Sequence, residues 1–145
     1  MKKWIFLITL AVGLPVVVAA QQHKDSIPLN RKRNVARVQY GVASFYHNKF
    51  EGRRTTNGEI FTQKKLTAAS NKYPLNCWVK VTNMRNKKSV ILRITDRMHY
   101  KNPRLIDLSR AAAKKLAYTG HGLTRVRVEY LGKKKPPETT TTTNK

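Results

Sequence analysis

Val90-Ile-Leu-Arg-Ile-Thr-Asp-Arg97 alternates with a period of two: Val90, Leu92 and Ile94 fall on one face, Arg93 and Thr95 on the other. A strand sends successive side chains to opposite faces, so this period predicts a strand with an inward apolar face. Ile91 makes it apolar on both sides. The same alternation recurs at Cys77, Val79 and Val81 against Trp78, Lys80 and Thr82, and at Val126, Val128 and Tyr130 against Arg125, Arg127 and Glu129. Thr82 to Lys88 reads as a hairpin connection, since Asn83 and Asn86 tolerate turn geometry. Gln39 to Tyr46 and Arg104 to Leu108 are shorter strand candidates. Only one helix is expected: Ser109 can cap it, Ala111 to Ala117 favour it, Lys114 and Lys115 suit its negative end, and Gly120 lies beyond it. Short strands with one helix in about a hundred residues predict a mainly β fold, a small closed or nearly closed barrel.

Outward from this core the chain changes character. Lys2 and Lys3 precede an apolar run from Trp4 to Val18 that ends in Ala19-Ala20, the layout of a secretory signal peptide over residues 1–20. Gly13 and Pro15 interrupt the run, and no Cys stands near the cleavage point to take a lipid, so no stable membrane anchor is expected. Residues 21–37 form a basic arm without apolar periodicity, expected to be disordered. Residues 132–145 are a Lys-, Pro- and Thr-rich low-complexity tail that cannot build a core. The expected domain is therefore 38–131. A single Cys, Cys77, excludes an internal disulfide framework.

The chain has 145 residues, with 30 Lys and Arg against 7 Asp and Glu and a formal net charge of +23. Residues 38–131 alone carry 19 cations and 5 acids. In a cytoplasmic protein this balance would suggest nucleic acid. No nucleic-acid motif is present, however, and charge alone supports only salt-sensitive, nonspecific binding. For an exported, soluble, periplasmic or secreted chain, the expected partners are anionic polymers of the cell envelope.

The few acids can be weighed singly. Asp96 continues the alternation of Ile94 and should point toward the apolar face at the strand end. A carboxyl there suits a general acid, and equally an ion pair with Arg93 or Arg97. Glu59 sits in a loop marked by Asn57-Gly58. Asp107, just before the helix cap, reads as structural. His23, His47, His99 and His121 lack metal-ligand spacing, so neither metal nor cofactor is expected. Aromatic residues among Arg and Lys on an open barrel face would suit stacking against sugar rings.

Taken in order, Gly41-Val-Ala-Ser-Phe-Tyr46, Gly52-Arg-Arg-Thr-Thr-Asn-Gly-Glu59, Thr67-Ala-Ala69, Val79-Lys-Val-Thr-Asn83, Val90 through Arg97 and Arg104-Leu-Ile-Asp-Leu-Ser-Arg-Ala-Ala-Ala113 resemble the rare lipoprotein A family over essentially all of 38–131. The resemblance implies a six-stranded double-psi β-barrel and an endolytic lytic transglycosylase that cleaves naked peptidoglycan strands with formation of 1,6-anhydro-muramyl ends. It places the family's essential acid on Asp96 and its second carboxylate on Glu59, the two facing one cleft. Tyr46, Asn57, Ser70, Arg97, His99 and Tyr100 become the supporting or substrate-binding residues, in a chain expected to act as a monomer on glycan strands.

Three departures stand out. Ser70 occupies the position where the family has an active-site His, and a hydroxyl cannot shuttle protons near neutral pH as imidazole does. Asp96-Arg-Met-His-Tyr100 replaces the usual Asp-Arg-Gly-Pro pattern, which puts His99 near Asp96. The lipidated Cys of the family's name has no counterpart. Ser70 leaves open the alternative of a non-catalytic, expansin-like module that binds or loosens the wall.

Overall fold

The computed structural model describes residues 35–137; the expected signal peptide, the arm up to residue 34 and the tail beyond residue 137 lie outside the described residues. The chain runs β1 (Val38–Phe45), β2 (Thr67–Ala69), β3 (Trp78–Asn83), β4 (Ser89–Asp96), β5 (Ile106–Leu108), α1 (Arg110–Lys115) and β6 (Thr124–Gly132). The strands close a barrel in the order β1, β5, β2, β4, β3, β6. Pairs β1/β5 and β2/β4 are parallel, and the other four interfaces are antiparallel. This is the six-stranded closed barrel that the sequence resemblance implies, with the short α-helix that the Ser109 cap predicts as the one α-helix among the described residues.

The alternation explains the core. Val79, Val81, Leu92, Ile94, Ile106, Leu108, Val126 and Val128 are wholly buried and face one another inside the barrel. Gly41 is required by close approach: a Cβ there would stand 2.6 Å from Cβ of Leu105. β2 shows no alternation, and its three residues, Thr67, Ala68 and Ala69, are all buried. Small side chains let this strand sit between β4 and β5.

The connections differ from expectation in four places. Ser109 caps α1 as expected, its Oγ accepting from the Ala112 N–H at 3.3 Å, but the helix ends at Leu116. Ala117 takes the left-handed conformation at φ 52°, a position expected nearer Gly120. In the β3–β4 turn the left-handed residue is Lys87 at φ 63° rather than an Asn. Asn83 is instead buried: it donates to the Leu116 carbonyl at 2.9 Å and accepts from the Arg85 N–H at 3.0 Å and Thr124 Oγ1 at 2.9 Å. At the segment borders, Val35 packs on the core and Arg37 accepts from the Tyr130 N–H at 2.9 Å, so the arm is tied down before residue 38. β6 reaches Gly132, one residue past the expected end, and Lys135, Pro136 and Pro137 line an apolar cavity with Trp78 and Ile91.

A break in register places the site. Ala68 pairs with Ile94 but Ala69 with Asp96, so β4 has an extra residue, Thr95, opposite β2. Such a bulge kinks the strand and re-aims the residues beyond it. Ile94 and Thr95 are consecutively buried, and Asp96 emerges half-buried at the strand end.

Candidate active site

The 52–60 loop folds over the end of β4. Thr55 N–H donates to the Glu59 carbonyl at 2.8 Å and Gly58 N–H to the Thr55 carbonyl at 2.9 Å, with Gly58 at φ 91°, the turn that Asn57-Gly58 predicts. Asn57 locks this loop. Its N–H donates to the Thr95 carbonyl at 3.1 Å, its Oδ1 accepts from Thr55 Oγ1 at 2.6 Å, and its Nδ2 donates to Asn76 Oδ1 at 2.9 Å.

That docking brings Thr56 against Asp96. Oδ1 of Asp96 accepts from Thr56 N–H at 2.9 Å, Thr56 Oγ1 at 2.6 Å and Arg97 N–H at 2.8 Å. Oδ2 accepts from the Tyr46 hydroxyl at 2.9 Å. Three donors crowd one oxygen and a single donor serves the other. The expectation of a carboxyl set against apolar walls is corrected here: the bulge and the 52–60 loop surround both of its oxygens with donors. Burial first, and Asp96 beside it second, push the Tyr46 phenol well above the ordinary range, so it remains a donor. Its ring is held by Phe61 and Phe50, with centroids 4.3 and 5.6 Å away.

Asp96 lines a cavity of about 500 Å³ with Tyr46, His47, Arg97, His99 and Asp107 among its walls, and a smaller one of about 190 Å³ with Tyr46, Arg53, Arg54 and Phe61. Glu59 lines neither. Arg93 Nη2 stands 2.7 Å from both of its oxygens, and Asn57 Nδ2 donates to Oε1 at 3.1 Å. Glu59 is thus joined to Asp96 through the loop. The second carboxylate in the larger cavity is Asp107, which accepts from Ser44 Oγ at 2.5 Å and from Arg104 Nε and Nη2 at 2.8 and 3.1 Å. It is both structural, as its place before the helix suggests, and part of the cavity wall.

The remaining expected site residues divide. Ser70 is fully buried and its hydroxyl donates to the Leu105 carbonyl at 2.8 Å, away from the cavity that neighbouring Ala69 lines. The Arg97 guanidinium is spent on the carbonyls of Ser70 and Tyr73, while its N–H serves Asp96. His99 lines the cavity, and its ring lies 4.6 Å from that of Tyr100, which is 77 % exposed. Thr56 and Ser44 escaped the sequence reading, because nothing local marks a Thr or Ser whose partner lies about 40 or more positions away. Among the described residues, no group of three metal-ligating side chains comes together.

A family model described as lytic transglycolase matches residues 38–128. Proteins named endolytic peptidoglycan transglycosylase RlpA are similar to this chain. That of Pasteurella multocida is 50% identical over 91 residues, 63% of this chain and 31% of that protein. That of Pseudomonas aeruginosa is 47% identical over 106 residues, 73% of this chain and 30% of that protein. The match thus spans about a third of the length of these relatives. Among solved structures, a papain inhibitor from Streptomyces aligns with a TM-score of 0.55 at 20% identity, covering 67% of this chain and 96% of that one. An expansin from Clavibacter michiganensis also aligns at 0.55, with 18% identity, covering 69% and 53%. At such identities the likeness concerns the fold alone.

Proposed function

The chain belongs to the lytic transglycolase family of barrels, and from that membership we propose that it is an exported lytic transglycosylase cleaving peptidoglycan glycan strands endolytically. The observation that carries this reading is the asymmetric setting of Asp96. Oδ1 is saturated by three donors, whereas Oδ2 has Tyr46 alone and keeps a lone pair for proton exchange. A carboxyl held in one orientation is what a proton-transfer residue needs.

In the proposed reaction Asp96 gives its proton to the glycosidic oxygen between N-acetylmuramic acid and N-acetylglucosamine. The bond from that oxygen to the muramyl C1 breaks, and positive charge spreads over C1 and the ring oxygen. The Asp96 carboxylate then takes the proton of the muramyl 6-hydroxyl while O6 bonds to C1. The products are a 1,6-anhydro end and a free 4-hydroxyl on the N-acetylglucosamine, with no water consumed and Asp96 again protonated. Tyr46 and Thr56 orient the carboxyl through every step. Glu59 contributes at a distance, since Arg93 engages both of its oxygens. His99 and Tyr100 offer a ring surface at the cavity rim for a sugar.

Incubating the protein with naked glycan strands and analysing the products by mass spectrometry tests this. Anhydro ends should form and should vanish in Asp96→Asn. Full release by Asp96→Asn, with loss in Glu59→Gln, would overturn the assignment. One observation favours the second reading, a non-catalytic wall-binding module: Ser70 supplies no imidazole, and its hydroxyl is turned inward. That reading requires glycan binding without any anhydro product.

A further inference from the structure

The end of β4 away from Asp96 carries a second feature, roughly 20 Å along the strand at ~3.3 Å per residue. Three segments distant in sequence meet there: the β3–β4 turn, the C-terminus of α1 and the start of β6. Asn83 and Asn86 both donate to the Leu116 carbonyl at 2.9 Å, tying the turn to the helix end. Met84 N–H donates to the Arg125 carbonyl at 2.9 Å, tying the turn to β6. The side chains this junction presents are Arg85, Lys87, Lys88, Lys114, Lys115 and Arg125, all exposed.

No acid offsets them. Residues 35–137 contain five acids, and each is engaged elsewhere: Glu51 on the Gln63 N–H, Glu59 on Arg93, Asp96 and Asp107 in the cavity, Glu129 on Arg127. Among the described residues none of the six cations forms an ion pair. Leu123, 52 % exposed, stands just before β6 and so at the same junction.

We propose that this junction is a docking surface for an anionic phospholipid bilayer. The partner is set by shape as well as sign. The cations project from a turn, a helix end and a strand start, and none of them lines the four cavities walled by Trp78 and Ile91, by Tyr73 and Leu75, or by Asp96. A plane can meet several such tips together, whereas a single polymer chain is better held in a channel. Lys and Arg can also lay their stems along the interface, and Leu123 adds an apolar contact. The inference does not depend on the proposed reaction.

The test is sedimentation of the full chain with phosphatidylcholine vesicles prepared with and without phosphatidylglycerol. Residues 1–20, Lys2 and Lys3 among them, are identical in every variant, so the comparison between variants removes their contribution. Lys87, Lys88, Lys114 and Lys115 are changed together to Gln. A matched control changes the exposed Lys64, Lys65, Lys72 and Lys133 to Gln, so both variants lose the same charge. A lysine near an anionic surface contributes about fivefold in affinity, and the junction variant should lose at least about tenfold more than the control. Changing the same four junction residues to Arg should retain binding, which separates charge from misfolding. Equal losses in the two Gln variants would overturn the proposal. So would a junction-specific loss seen with a soluble acidic polysaccharide but not with vesicles, an outcome that identifies a polymer as the partner.

Discussion

The Tyr46 hydroxyl donates to Oδ2 of Asp96 at 2.9 Å across 50 positions of sequence. β1 ends one residue before Tyr46 and β4 ends on Asp96, and these strands are not neighbours: β5 and β2 lie between them in the barrel. The contact therefore depends on β1, β5, β2 and β4 having paired in that order. It fixes the one carboxyl oxygen that the Thr56 and Arg97 donors leave open.

Removing this donor tests its part directly. Tyr46→Phe keeps the ring against Phe50 and Phe61 and deletes only the hydroxyl. A hydrogen bond to a charged group contributes about 1.5–3 kcal/mol, so release of anhydro ends should fall about 10- to 100-fold while far-ultraviolet circular dichroism stays unchanged. Undiminished turnover would remove Tyr46 from the mechanism.

Glu59→Gln should be mild by comparison. Its ion pair with Arg93 is between side chains 37 % and 31 % exposed, and such pairs contribute at most about 1 kcal/mol. Thermal melts should show a small shift, and turnover should remain well above that of Asp96→Asn. Loss of activity equal to that of Asp96→Asn would give Glu59 a direct part in proton transfer.

Asn83 should be among the costliest polar positions. Asn83→Ala leaves the Arg85 N–H and Thr124 Oγ1 without their acceptor at a buried site. Stranding buried polar groups in this way costs about 2–4 kcal/mol, a fall in Tm of about 10 °C or more for a domain of this size. Asn83→Asp should be no better, because a carboxylate would then face the Leu116 carbonyl that the amide now serves.

Alkali should weaken the barrel progressively. Burial pushes the Cys77 thiol up from its ordinary 9.0 to about 11, with Arg97 opposing. A folded value above the unfolded one means a contribution fully present below about pH 9 and lost as pH rises through about 11. Tyr46, Tyr73 and Tyr118 are raised too, chiefly by burial, and extend the loss beyond pH 10. Melting temperature should hold to about pH 9 and then decline, and Cys77→Ala should flatten the first part of that decline. An unchanged slope in the variant would show that the thiol ionises equally in the folded and unfolded states, and that its burial contributes nothing to the decline.

β3, β4 and β6 were legible because alternation is local: each residue's face is set by its neighbours two positions away. The Ser109 cap was legible for the same reason, and so was the Asn57-Gly58 turn. β2 was not, since three small buried residues carry no period. Nor could alternation place the Asp96 carboxylate, because the extra residue at Thr95 appears only in the pairing of β4 with β2.

By itself the sequence determined the barrel, its one helix and the candidacy of Asp96, because period, caps and motif order are properties of contiguous residues. Tertiary structure alone decided the rest: Tyr46 and Thr56 on Asp96, Asp107 in its cavity, Glu59 on Arg93, the inward turn of Ser70, and six cations gathered at one junction. The reason is range. A hydrogen bond or a patch joining residues tens of positions apart depends on which strands pair and in what register, and register is settled only when the barrel closes.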